Sequence, residues 1–541
     1  MIAVLALMAL VATACGNDGG EGDGQRGGTL VFGSSADPVS LDGAFVSDGE
    51  SIRIIYQVFE GLVRTEEGGF EPVPALARSW TTSSDGTSWT FELQQGVKFH
   101  DGTDFNAEAV CFNFNRWYNF SGPILQSDAV TYYYVTAFGG FSDKPETSLY
   151  KSCQATDADT ATISLTKPSA SFLAVLTLPA FSMQSPAALQ KYEADKVSGA
   201  ADAPKFEGSY GLQHPTGTGP FKFDSFTAGD RTVLVRNEDY WGDKASLDRL
   251  IFRAIDDNAA RRQALETNEI QAYENPEPGD IEALKSAGFN VAQRGAFNVG
   301  YVGFNVTHKP LNNVKIRQAI AHALNRQALL TAKYPPGAEV ATQFQPPKLF
   351  GWASDVTKYD YNQDMAKKLI AESGVASPTL EFWYPTDVSR GYMPDPAANF
   401  QAFKADLEAV GFRVVAKSAP WNPDYLNKVQ SGGAPVYLLG WLADFGDPDN
   451  FVGTFFQAYS AQWGFRNQEI FSALDAAERE TDATKRTQLY EDANRKIMEF
   501  VPGVPYVHTS TFVVLGKNVR GFVPSPINLE RFSLVSLTTA A

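Results

Sequence analysis

The sequence predicts an α/β protein divided into two or three globular units. Three observations lead there. The 541 residues exceed what one ordinary core holds; short runs carry apolar residues at alternate positions, as strands do; and runs between them carry apolar residues at spacings of three and four, as helices do. In chain order, 88–99 (SWTFELQQGVKF), 231–237 (RTVLVRN) and 249–255 (RLIFRAI) are expected strands. Residues 314–330 (VKIRQAIAHALNRQALL) are an expected helix capped by Asn312 or Asn313, whose side-chain oxygen accepts from a first-turn N–H. In 399–412 (NFQAFKADLEAVGF), Phe400, Phe403, Leu407 and Val410 share one face and Gly411 ends the helix, with RVVA following at once as a strand. A further helix is expected over 485–500 (KRTQLYEDANRKIMEF).

Composition narrows the function. Lys plus Arg number 45 against 62 Asp plus Glu, a net charge of −17 that repels phosphate backbones and excludes a nucleic-acid partner. The sequence has no GxxxxGK[ST] loop, GxSxG elbow, HExxH helix or EF-hand loop. His100, His214, His308, His322 and His508 are scattered without metal-ligand spacing, so they read as packing, hinge or surface residues. The GTG at 217–219 is followed by Pro220 where a dinucleotide loop would continue to a third glycine. No catalytic residue, cofactor or metal is therefore expected.

Residues 1–14 (MIAVLALMALVATA) are shorter than the ~20 apolar residues of a membrane-spanning helix and suit a signal peptide. After Cys15, residues 16–28 (GNDGGEGDGQRGG) are polar and glycine-rich, a flexible tether. Ala14-Cys15-Gly16 resembles the end of a bacterial lipobox, although Ala12 stands where leucine is commonest and no basic residue precedes the apolar run. That resemblance implies lipidation of Cys15 and anchoring to the cell membrane; the alternative is an ordinary signal with an unrelated cysteine. With Cys15 used so, Cys111 and Cys153 are an even pair in an exported chain and are expected to form a disulfide, two buried thiols being the alternative.

Several segments, in order, resemble the peptide/nickel family of solute-binding proteins that serve ABC importers: YQVFEGLVR (56–64), 74–116 with its FHDGT turn, GTGPFKF (217–223), 236–272 with RNEDYWG, 298–326, and GWLADFGDPDNF (440–451). One departure is Leu41-Asp42-Gly43, where the family usually has LDP. The resemblance runs from about residue 29 nearly to the C-terminus. It implies a two-lobed periplasmic-binding-protein fold with an extra subdomain and a ligand cleft between the lobes. Lobe I would span 29–295, with the subdomain inserted at about 60–206, and regain the chain over 506–541; lobe II would span 296–505. Hinge strands are expected near 295–301 and 502–510, with Gly295 and Gly300 absorbing the dihedral change.

The function implied is an extracytoplasmic, lipid-anchored monomer that binds short peptides and passes them to ABC permease subunits. By the same resemblance Asp444 grips a peptide α-ammonium and Arg390, in 382–396 (FWYPTDVSRGYMPDP), its carboxylate. Gly391 departs from the family's R-P-Y-x-P form there. Trp421, Trp441 and Phe445 are candidate walls of the ligand site, or plain core. Asp447 and Asp449 fit a turn and cap. Other readings are a salt bridge or cap for Asp444 and a solvated loop charge for Arg390. At the level of function the rivals are a receptor for a nickel chelate, an oligosaccharide or another solute; an extracellular glycosidase using Asp444 and Asp447; and a sensor acting through a partner.

Overall fold

The computed structural model describes residues 26–127, 130–200 and 203–538. The signal peptide expected over 1–14, Cys15 and most of the tether lie outside the described residues. No helix among the described residues is long and apolar enough to cross a membrane.

The molecule has two lobes, each built on a mixed sheet. The first lobe holds a seven-stranded sheet in the order Phe221–Thr227, Arg231–Arg236, Arg249–Ala254, Thr29–Ser34, Ala272–Glu274, Phe512–Leu515, Asn290–Gln293. One of those strands comes from near the C-terminus, so this lobe is discontinuous. The second lobe holds a five-stranded sheet in the order Arg413–Ala419, Thr379–Pro385, Val436–Leu442, Asn298–Phe304, Gly503–Val507. A four-stranded antiparallel sheet, Ala77–Thr82, Ser88–Leu93, Thr160–Leu165 and Tyr150–Asp157, forms a further unit with its own apolar core. Helix Ala107–Tyr118 packs on this sheet, and the Cys111–Cys153 disulfide ties the helix to the strand Tyr150–Asp157.

Local chemistry accounts for most element ends. Helix Pro396–Ala409 starts under an Asp395 cap with proline in its first turn and buries Phe400, Phe403 and Leu407; Gly411 follows at φ +107°. Asp482 caps helix Ala483–Phe500. Two expectations need correction. The run 88–99 is strand only over Ser88–Leu93, because Gly96 turns the chain at φ +73°. The helix expected over 314–330 is two helices, Val314–Ala323 under an Asn313 cap and Arg326–Lys333. Leu324 is extended (ψ 117°), and Asn325 caps the second helix through the Ala328 N–H. An asparagine inside an apolar repeat can start a helix as well as continue one.

The chain crosses between the two large sheets at 294–297 and again at 508–511, and the crossings are tied together. The Asn298 side-chain amide donates to the Thr509 carbonyl (2.7 Å) and accepts from the Thr509 N–H (3.1 Å), while His508 Nδ1 donates to the Asn298 carbonyl (2.6 Å). Behind them lies a buried ion network: Arg294 meets Glu530 (2.6 Å) and Glu274 (2.6 Å), and Arg53 also meets Glu274. Burial opposes ionisation of Glu274, yet Arg53 and Arg294 hold it down at about 2.

Candidate functional site at the carboxyl edge of the second lobe

Strands Arg413–Ala419, Thr379–Pro385 and Val436–Leu442 run parallel, with Pro385 level with Ala419 and Trp383 level with Tyr437. The carboxyl ends of parallel strands are where an α/β fold presents its loops to a ligand. Trp421, Arg390 and Asp444 each lie shortly beyond one of these three ends. One sheet edge thus gathers three residues widely separated in sequence.

Asp444 is half-buried and fixed by a small turn. Asp447 caps the 3-10 turn Pro448–Asn450, and that turn places Asn450, whose side-chain oxygen accepts from the Asp444 N–H (2.8 Å) and from Trp441 Nε1 (3.3 Å). Asn450 Nδ2 donates to one Asp444 carboxylate oxygen (3.4 Å). The Tyr133 hydroxyl, from helix Tyr132–Phe138, donates to the other (3.1 Å). Among the described residues no cation pairs with Asp444. Burial therefore pushes its carboxyl up to about 6, against the lowering pull of the Tyr133 and Asn450 hydrogen bonds. The carboxylate is thus held by two neutral donors, with no positive charge beside it among the described residues to compensate its own.

Arg390 is exposed, and three contacts hold its loop. Its backbone pairs with Met393 in both directions (3.0 and 2.8 Å); its guanidinium lies over the Trp421 ring at 5.3 Å; and the Trp421 N–H donates to Asp387 (2.5 Å). Tyr392 is buried, and its carbonyl accepts from the Tyr334 (3.0 Å) and Tyr506 (3.2 Å) hydroxyls. A Cβ on Gly440 would lie 2.2 Å from the Tyr392 ring, and one on Gly300, paired with Gly440 across the strands, 2.8 Å from the Tyr392 carbonyl. This glycine pair forms the bay that seats the loop. Gly300, expected to lend hinge freedom, thus lies inside a strand and serves close approach. A Cβ on Gly391 would lie 2.8 Å from Thr511 Cγ2, so glycine lets the loop press against the second crossing.

The aromatic candidates divide. Trp441 and Trp421 are half-buried at this edge, Trp421 stacking on Tyr425. Phe445 is 7% exposed and packs into the core of the four-stranded unit, not into the core of the lobe that carries it. Asp447 is buried and bonded bidentately to Arg486 (2.7 and 2.9 Å), so it offers Asp444 no partner for acid–base chemistry. Sequence reasoning missed Tyr133, Asn450, Tyr392 and the Gly300–Gly440 bay. Asn450 lay in the segment already singled out; nothing in the sequence links Tyr133 to Asp444 across their separation of 311 residues.

The histidines are held in packing contacts: His100 bonds the Gly219 carbonyl, His308 that of Gly432 and His322 that of Asp360, while His214 stacks on Tyr192. Among the described residues no group of three or more His, Cys, Asp or Glu is placed to hold a metal ion.

Residues 71–463 match the family model described as bacterial extracellular solute-binding proteins, family 5 Middle. The di/tripeptide-binding protein 1 of Pseudomonas aeruginosa (strain UCBPP-PA14) is 31% identical over 94% of this chain and 94% of its own length. The heme-binding protein A of Haemophilus influenzae is 30% identical over 98% of each. Among solved structures, the ABC transporter-associated periplasmic binding protein DppA of Helicobacter pylori, in complex with the peptide STSA, superposes with a TM-score of 0.77 at 29% identity, covering 95% of this chain and 99% of that one. The two-lobed architecture and the family match lead to one conclusion: this chain belongs to the bacterial extracellular solute-binding proteins of family 5.

Proposed function

We propose that the protein is an extracytoplasmic receptor that encloses a short peptide between its lobes and delivers it to an ABC permease, without chemistry of its own. In this reading lobe I comprises about 29–295, with the subdomain inserted at about 60–206, and regains the chain after the second crossing at 508–511 rather than at 506, because Tyr506 and Val507 still belong to the second sheet; lobe II is the chain between the two crossings. The protein acts as a monomer, held at the cell membrane through a lipidated Cys15. The names of the related proteins cover both peptides and heme. What favours the peptide is Asp444, a half-buried carboxylate supplied only with neutral donors, at the same sheet edge as a loop-held arginine that no carboxylate claims among the described residues. That arrangement suits a zwitterion. Asp444 takes the α-ammonium, and Arg390, backed by Trp421, takes the carboxylate. Closure would then follow from the ligand's higher affinity for the closed state.

The test is equilibrium binding of a mixed di- and tripeptide pool to the wild type and to the Asp444→Asn and Arg390→Gln variants. Loss of one partner of a desolvated charge pair costs roughly 2–5 kcal/mol, so each substitution is expected to weaken binding by about thirtyfold or more. Unchanged affinity in both variants would refute the proposal.

A further inference from the structure

A cavity of about 280 Å³ lies in the first lobe, between the end of helix Gly49–Val58, the loop 240–244 and the C-terminal segment 531–534. It shares no lining residue with the Asp444–Arg390 site. In a chain of net charge −17 it is lined by three cations, Arg64, Lys244 and Arg531, against the two carboxyls Glu60 and Asp243. Arg64 (3.0 Å) and Arg531 (2.6 Å) both meet the same Glu67 oxygen, so two positive charges share one negative. Beyond Glu67 and the Thr65 carbonyl, these guanidinium groups have no acceptor among the described residues.

Glu60 is already saturated. The Tyr240 hydroxyl (2.7 Å), Trp241 Nε1 (2.9 Å) and the Thr218 hydroxyl (2.8 Å) all donate to it, and burial raises its pKa, so it offers a cation little. Ser533, 8% exposed and lining the cavity, has a buried hydroxyl without a partner among the described residues. Phe59, Val63, Trp241 and Leu534 supply apolar wall. Two guanidinium groups sharing one carboxylate, an ammonium of Lys244 held only loosely by Glu238 (3.8 Å), an unpartnered hydroxyl and an apolar wall suit one kind of occupant.

We propose that this cavity is a second ligand site, for a small monocarboxylate with a flat apolar body, its carboxylate on Arg531 and its body against Trp241 and Phe59. The site is independent of the peptide cleft. The experiment is calorimetric and ligand-observed NMR titration of the whole protein with phenylacetate, with phenylacetamide as the uncharged control. Saturable phenylacetate binding is expected in the wild type and unaltered in Arg390→Gln, which separates this site from the cleft. It is expected to fall about tenfold or more in Arg531→Gln and for phenylacetamide, the loss of one charge-assisted contact. Leu534→Trp, at a position 40% exposed, should fill the mouth and abolish binding without lowering the melting temperature. No saturable binding, equal binding of the amide, or loss in Arg390→Gln with retention in Leu534→Trp would overturn the proposal.

Discussion

At the scale of the residue, Asp444 keeps its charge at a cost. Burial raises its pKa from 3.8 to about 6, so between those values the folded protein holds a proton that the unfolded chain releases, and stability falls as pH rises through that window. Asp444→Asn removes the buried charge and keeps hydrogen-bonding capacity; the peptide-free variant is expected to melt a few degrees higher at pH 7, as scanning calorimetry would show. The sign reverses for the ligand. An ammonium needs the ionised carboxylate, so peptide affinity should weaken about tenfold between pH 7 and pH 5, with protons released on binding near pH 6. Flat affinity over that range would contradict the role. The WLADF setting singled Asp444 out in the sequence; its environment was not legible there, because Tyr133 reaches it only through the folded chain.

At the scale of the element, the Arg390 loop owes its position to what the strands beneath it lack. Gly300 and Gly440, facing each other across neighbouring strands, leave the space into which Tyr392 seats. Gly440→Ala would drive a methyl into that ring, and overpacking of this kind costs about 1–3 kcal/mol. The variant is expected to bind peptides about tenfold more weakly while C-terminally amidated peptides are little affected, measured by parallel calorimetric titrations. Strand and helix periodicity showed the larger elements in the sequence, and Asp395, Asp482 and Asn313 act as ordinary caps. The break at Leu324 and the glycine bay escaped it: an internal asparagine reads equally as continuation or start, and a strand glycine does not announce what it admits.

At the scale of the molecule, the lobes touch through side chains that leave their own core. Phe445, carried by the second lobe, is buried in the core of the four-stranded unit, and Phe70 stacks on Phe297 beside the first crossing (4.6 Å). These contacts join the two lobes in the structure, so Phe445→Ala should loosen their arrangement. Loss of such a buried aromatic contact costs roughly 2 kcal/mol or more, and peptide affinity is expected to fall about thirtyfold although Phe445 is assigned no ligand contact. Small-angle scattering should show the peptide-free variant more extended than the wild type. The two-lobed fold was legible because its ordered segments span almost the whole chain; contacts between the lobes join residues far apart in sequence and leave no periodic trace. The most direct test of the central claim is calorimetric titration of the mature protein with a free dipeptide and with the same dipeptide N-acetylated. Saturable binding of the first and loss of binding with the second is the result predicted; equal affinity for both would contradict Asp444 as the ammonium receptor.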